Sequence, residues 1–265
     1  MSQERKLLFL NWKSNKTKQE AAEWANLVNV KLKDLQLTSK NNLQIVLFAP
    51  HTLFYWLEVH LKEYETLQRL SNDKMFQVGS QVVSEHGKGG FTGYINAEQA
   101  ADMGVRYTLV GHSERRAFAH ETNEEHVKQL AQAFEHGIAP VFCIGETKDE
   151  KDEGQTYEVM TNQLAALQSL SKEQLSQVTI AYEPRWAIAT GRTADPATAN
   201  EICGWIKDQF SSMDVRPPVI YGGSVDGKSI LSFLSQPNID GVLPGGASLK
   251  PDEVGSMVQF ASEMA

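Results

Sequence analysis

The chain is poor in the features that mark secreted, membrane-spanning and metal-clustering proteins. It has two cysteines, Cys143 and Cys203, in 265 residues. Both stand in apolar surroundings and no CxxC pair occurs, so a disulfide framework is not expected and a reducing, cytoplasmic setting is. The seven histidines show no HExxH arrangement or other ligand spacing, and no metal is expected. Long apolar runs are missing too. Near the N-terminus only Leu7–Leu10 is continuously apolar, too short for a secretory core or a membrane span. Positive charge is in deficit, with 25 Lys and Arg against 33 Asp and Glu, a formal net charge of −8. That balance argues against non-specific binding to nucleic acid or to an anionic membrane. No Pro/Gly/Ser-rich linker divides the chain, so residues 1–265 read as one domain.

What is present is a repeating pattern. Short apolar runs recur at Leu7–Leu10, Leu43–Phe48, Met75–Val78, Tyr107–Val110, Ile138–Cys143, Val178–Tyr182, Val219–Tyr221 and Gly241–Leu243. Stretches with helical spacing lie between them, such as Ala22, Ala25 and Val28, or Leu164 and Leu167. Near-continuous apolar strands are covered on both faces, and strand–helix alternation implies a parallel sheet. Eight such units fit a single-domain (β/α)8 barrel, with a doubly wound open sheet as the competitor. Helix starts are predicted at Thr122-Asn123-Glu124-Glu125, a capping box, and at Asp195-Pro196. Ser248 to Glu253 is expected to repeat that logic. The mixed charge run Lys148–Glu153 reads as a solvated helix start, and the polar stretch from Asn29 to Asp73 as longer helices or an extended loop.

In such a barrel the chemistry belongs at the carboxyl ends of the strands. The sixth run delivers Glu183, and Pro184 behind it holds that residue extended. The following Arg185-Trp186-Ala187-Ile188-Ala189-Thr190-Gly191-Arg192 has the composition of a cover that closes over a ligand. The first run ends in Asn11-Trp12-Lys13, where the lysine is by itself a surface residue near a strand end or else a positive charge brought to an anion. The fourth ends in Gly111-His112-Ser113-Glu114-Arg115-Arg116, where the histidine is either structural or, since a helix N-terminus disfavours imidazolium, a neutral donor. The fifth ends in Glu146, read as structural, with Arg115 or Arg116 as partner. The seventh and eighth end in Gly222-Gly223-Ser224 and Gly245-Gly246, turns of the kind that hold phosphate on backbone N–H groups. Residues 222–229 also satisfy GxxxxGK[ST]. A nucleoside-triphosphate P-loop is nevertheless not expected, since no later strand ends in a magnesium-binding aspartate.

Taken together, these segments resemble the triosephosphate isomerase family. Asn11-Trp12-Lys13, Gly90-Phe91-Thr92-Gly93, Gly111 to Arg116, Cys143 to Glu146, Ala181 to Ala194, Tyr221 to Val225 and Gly245 to Leu249 occur in the family's order from strand 1 to strand 8. The resemblance implies interconversion of dihydroxyacetone phosphate and glyceraldehyde 3-phosphate through an enediolate, without cofactor. Glu183 would move the proton between carbons, and His112, neutral, would polarise the carbonyl and shuttle a proton between the oxygens. Lys13, with Asn11 beside it, would stabilise the charge, and Glu114 would orient that network. Ala189, Ser224, Gly245 and Gly246 would bind phosphate, under a lid spanning 184–192. A homodimer is also implied, with the Gly90–Gly93 loop reaching the partner's site.

The sequence departs from the family's pattern at Ser14, Val82 and Tyr94 on the implied dimer surface. In the lid it departs at Arg185 and Ala189, and beside the glycine pair at Pro244. None of these removes a side chain with an implied catalytic role. Isomerisation of a related phosphorylated ketose, or a catalytically idle relative, are the alternatives. An idle copy is expected to lose Lys13, His112 or Glu183, and all three are present.

Overall fold

Eight parallel strands close on themselves in sequence order: β1 (Lys6–Asn11), β2 (Leu43–Ala49), β3 (Phe76–Ser80), β4 (Tyr107–Val110), β5 (Ala139–Ile144), β6 (Thr179–Tyr182), β7 (Val219–Tyr221) and β8 (Gly241–Val242). The computed structural model describes residues 5–38, 40–187 and 194–265. β1 is the longest seam, pairing β2 from Lys6↔Leu43 to Asn11↔Phe48, and it closes the barrel against β8 at Leu7↔Gly241 and Leu8↔Val242. The closed ring rules out the open-sheet alternative.

The side-chain period of two divides the core into two layers. Leu7, Phe9, Val46, Phe48, Leu109, Val141, Cys143, Ala181, Ile220 and Leu243 fill the barrel interior. Their neighbours Leu8, Leu10, Ile45, Leu47, Phe142 and Ile180 face outward into a larger core shared with the helices. Both strand faces are therefore buried, which is why the strands read as unbroken apolar runs rather than as alternations.

The caps form as the sequence predicts at Thr122, which makes a capping box with Glu125, and at Asp195, which caps the helix Pro196–Asp208. The charge run is an exposed helix, Lys148–Asp152, capped by Thr147. The last helix, Pro251–Met264, keeps the expected proline in its first turn but not the expected cap. Its N-cap is Lys250, with no side-chain cap bond. Ser248 is instead fully buried, its one hydroxyl hydrogen shared between the carbonyls of Gly245 and Asn11 at 2.5 and 2.8 Å. A residue that looks like a helix cap thus joins the end of β8 to the end of β1. The Asn29–Asp73 stretch holds the end of the helix Lys18–Lys33, then β2 and two short helices, Phe54–His60 and Glu65–Asn72. No helix among the described residues is long and apolar enough to cross a membrane.

Candidate active site

A cavity of about 630 Å³ opens at the carboxyl ends of the strands, lined by Asn11, Lys13, His112, Glu114 and Glu183 on one side and by Gly222–Val225, Leu243, Gly245 and Gly246 on the other. β6 ends at Tyr182, and Glu183 keeps the extended course. Its amide donates to Ile144 O at 2.7 Å. The neighbouring chain passes so close that a Cβ on Gly145 would stand 1.9 Å from the Glu183 carbonyl oxygen, so only glycine fits there. The Glu183 side chain is 2% exposed. Its Oε2 accepts the Ser113 amide at 2.8 Å and its Oε1 lies 3.2 Å from His112 Nε2.

His112 caps the helix Ser113–Phe118, and its Nδ1 accepts the Glu114 amide at 3.2 Å. A ring that accepts at Nδ1 carries its hydrogen on Nε2, the nitrogen facing Glu183 and, at 3.2 Å, Asn11 Nδ2. The strand end before it is tied down by Arg116, whose guanidinium donates to the Gly111 and Cys143 carbonyls at 2.8 and 3.3 Å. Burial draws that guanidinium's pKa below its ordinary value.

Lys13 occupies the left-handed region at φ 51°, a conformation that costs a lysine about 1–2 kcal/mol. Two bonds offset it. The Lys13 amide donates to Asn11 Oδ1 at 2.8 Å, and Gln81 Nε2 donates to the Lys13 carbonyl at 2.8 Å. The result points the ammonium into the cavity, where it donates to Glu114 Oε1 at 2.6 Å. Sequence reasoning did not single out Gln81 or Ser113 for the site. Gln81 stands immediately before Val82 of the implied dimer surface and Ser113 acts through its backbone, so neither carries a residue-type signal for the site.

Glu146 corrects its expected pairing. Neither Arg115 nor Arg116 bonds to it. Arg115 binds Glu121 Oε1 through Nε and an Nη at 2.8 and 2.6 Å. Glu146 Oε1 instead accepts Tyr182 Oη at 3.1 Å and Trp186 Nε1 at 2.8 Å. Burial raises the Glu146 carboxyl pKa, with these two bonds pulling the other way.

The opposite wall carries no charged side chain at Gly222, Gly223, Ser224, Gly245 or Gly246. A Cβ on Gly222 would sit 2.8 Å from Glu183 Cγ, and one on Gly223 2.1 Å from the Tyr221 hydroxyl. The P-loop reading fails here for a physical reason. The Gly227 amide donates to Glu253 Oε2 at 2.7 Å, so a carboxylate already occupies that donor, and Lys228 is exposed. The expected lid is described only at its ends. Ser224 Oγ donates to the Ala187 carbonyl at 3.0 Å and the Ala194 amide donates to Tyr221 Oη at 3.2 Å. Ile188 to Arg192, with Ala189 among them, lies outside the described residues.

The model of the family described as triosephosphate isomerase matches residues 6–261. The chain belongs to the triosephosphate isomerase family. A curated triosephosphate isomerase from Synechococcus sp. (strain JA-2-3B'a(2-13)) is 38% identical over 255 residues, covering 96% of this chain and 96% of that protein. The match runs through all eight strands, and as a member of the family this chain is an isomerase with the closed parallel barrel expected from the sequence. Of the residues that the family resemblance pointed to, Asn11, Lys13, His112, Glu114, Glu183, Ser224, Gly245 and Gly246 all line the one cavity.

Proposed function

We propose that the protein interconverts dihydroxyacetone phosphate and D-glyceraldehyde 3-phosphate through an enediolate, with Glu183 as the base. The observation that carries this reading is the pairing of a buried carboxylate with His112 Nε2 at 3.2 Å, across the cavity from two glycine pairs. Glu183 takes the proton from the carbon beside the carbonyl and returns it to the neighbouring carbon, acting on a carbon acid rather than on water. His112 donates its Nε2 proton to the carbonyl oxygen as that oxygen gains charge, and takes up the proton of the neighbouring hydroxyl, so the O–H moves between the two oxygens, while Asn11 and Lys13 add donors to the developing charge. Glu114 holds the Lys13 ammonium in place through its 2.6 Å bond. Backbone N–H groups of Ser224, Gly245 and Gly246, together with Ala189 of the lid, take the phosphate, whose binding energy is remote from the reacting bond. The lid over 184–192 excludes water and keeps the enediolate from eliminating phosphate.

No organic cofactor or metal enters this scheme, because Glu183 moves the carbon-bound proton and His112 moves the oxygen-bound one, with Lys13 balancing the charge. An assay coupling glyceraldehyde 3-phosphate turnover to dihydroxyacetone phosphate detection tests it. Fast turnover by the wild type is expected, and its absence with folded protein removes the reading.

We also propose a homodimer through the Gly90–Gly93 loop, in the cytoplasm. Supporting it, Phe91 and Tyr94 leave 40% and 56% of their surface open. The loop is stiffened by the His86 ring stacked on Phe91 at 3.9 Å. Light scattering at assay concentration is expected to give twice the chain mass. An active monomer would refute this.

A further inference from the structure

The chain that carries Glu183 runs on as Pro184-Arg185-Trp186-Ala187, a short 3-10 turn lying on the end of β5. The Arg185 amide donates to the Glu146 carbonyl at 3.0 Å. The Trp186 side chain is gripped from two directions. Its Nε1–H donates to Glu146 Oε1 at 2.8 Å, and Lys151 Nζ stands over its ring, 3.2 Å from the centroid. An indole has a positive N–H edge and a negative face. Here the edge meets a carboxylate and the face meets an ammonium, so each polar pole of the ring finds its opposite charge.

Lys151 comes from the exposed helix Lys148–Asp152, whose start is fixed by the Thr147–Glu150 capping box. That helix follows Glu146 directly, so carboxylate and ammonium are delivered by one rigid segment. Glu146 is 1% exposed, and its Oε2 is buried with no hydrogen-bond partner among the described residues. The Lys151 charge also favours the ionised form of that carboxyl, against its burial. One ammonium therefore supports both halves of the grip: the ring it covers and the anion that binds the ring's edge.

We infer that Lys151 is a positioning residue for the isomerase reaction. It acts through the Trp186 indole to hold the Glu183–Ala187 segment in register, and it touches no reacting atom. The inference rests on the reading of Glu183 as the base.

The test measures kcat and KM for glyceraldehyde 3-phosphate in Lys151→Met, Lys151→Arg, Trp186→Phe and the Lys151→Met/Trp186→Phe pair. Thermal melts confirm that each variant is folded. Lys151→Met keeps the stem and removes the charge. It is expected to lower kcat about 3- to 10-fold, the span of a cation–π contact between exposed and partly desolvated sites, with KM changed less than twofold. Lys151→Arg, which also stacks on indole, is expected to recover at least half of the loss. In the Trp186→Phe background, which removes the N–H edge and weakens the ring, the Lys151→Met effect should shrink to less than half. Full wild-type kcat in Lys151→Met overturns the inference, as does an equal loss with Trp186→Phe. An inactive wild type, or unchanged turnover in Glu183→Gln, instead overturns the underlying assignment of the base.

Discussion

The two walls of the cavity are built from different materials. The wall at β1, β4 and β6 presents side chains, and each is held by another group: Glu183 by the Ser113 amide, His112 by the Glu114 amide, Lys13 by Glu114. The wall at β7 and β8 presents backbone, with glycine where a Cβ would strike Glu183 or Tyr221. Under the proposed function the first wall would move protons, which needs specific functional groups at fixed distances, and the second would hold a remote anion, which needs N–H groups with nothing in front of them. The side-chain wall should therefore fail when chemistry is removed at constant shape, and the backbone wall when shape is added at constant chemistry.

The largest effect is expected at the base. Glu183→Gln keeps the shape and removes the proton acceptor, and kcat should fall about 10³-fold, within the range of general base catalysis, with KM within about threefold. Steady-state kinetics decides this, and a loss expressed mainly in KM would assign Glu183 to binding. Next is Gly222→Ala, where an added methyl lands 2.8 Å from Glu183 Cγ and 3.2 Å from the Tyr182 carbonyl. A displaced base costs on the order of 10²-fold, so this backbone-wall variant should behave as a kcat defect. Unchanged kcat would separate the two walls completely.

Gly223→Ala is expected to be milder at the reacting bond and stronger at the anion. Its methyl meets the Tyr221 hydroxyl at 2.1 Å, so the turn must shift. KM for the phosphorylated substrate should rise about tenfold, the equivalent of about 1.4 kcal/mol. Inorganic phosphate should weaken as an inhibitor in parallel, and equal inhibition in both proteins would remove the phosphate assignment.

The smallest effect concerns support of the side-chain wall. Glu121 receives Arg115, which lies in the same short helix as Ser113 and Glu114. Burial opposes ionisation of Glu121, but the His126 imidazole 3.5 Å from its Oε2 and the bonds from Arg115 outweigh it and hold its carboxyl below the ordinary value. A lowered folded-state value gives stability that is complete above the unfolded value and is lost as pH falls through the folded one. The wild-type Tm should thus drop more steeply than that of Glu121→Gln between about pH 5 and about pH 3. Parallel slopes would show that the pair contributes nothing.

Much of the barrel was legible because doubly buried strands hold few polar residues: all eight apolar runs became strands, with boundaries shifted by at most two residues. Site residues that act through side chains were legible for a related reason, since Glu-Pro, Lys after a strand and His before a helix are residue types with chemical consequences. Residues that act through backbone or through packing were not. Ser113 contributes an amide, Gln81 supports a carbonyl, and Ser248 looks like a helix cap until the ends of β1 and β8 are seen to meet on it.

Composition and periodicity by themselves determined an α/β chain with eight parallel units and a carboxylate, Glu183, at the end of the sixth, because burial on both faces and the restriction before proline act locally on the chain. Only closure of the barrel decided which strand ends share a cavity. Lys13, His112 and Glu183 are separated by 99 and 71 residues along the chain, and no local rule relates them. Closure also decided the partners. Glu146 binds Tyr182 and Trp186 rather than arginine because β5 and β6 are neighbours in the ring, and the nearest donor in space is the one that satisfies a buried carboxylate.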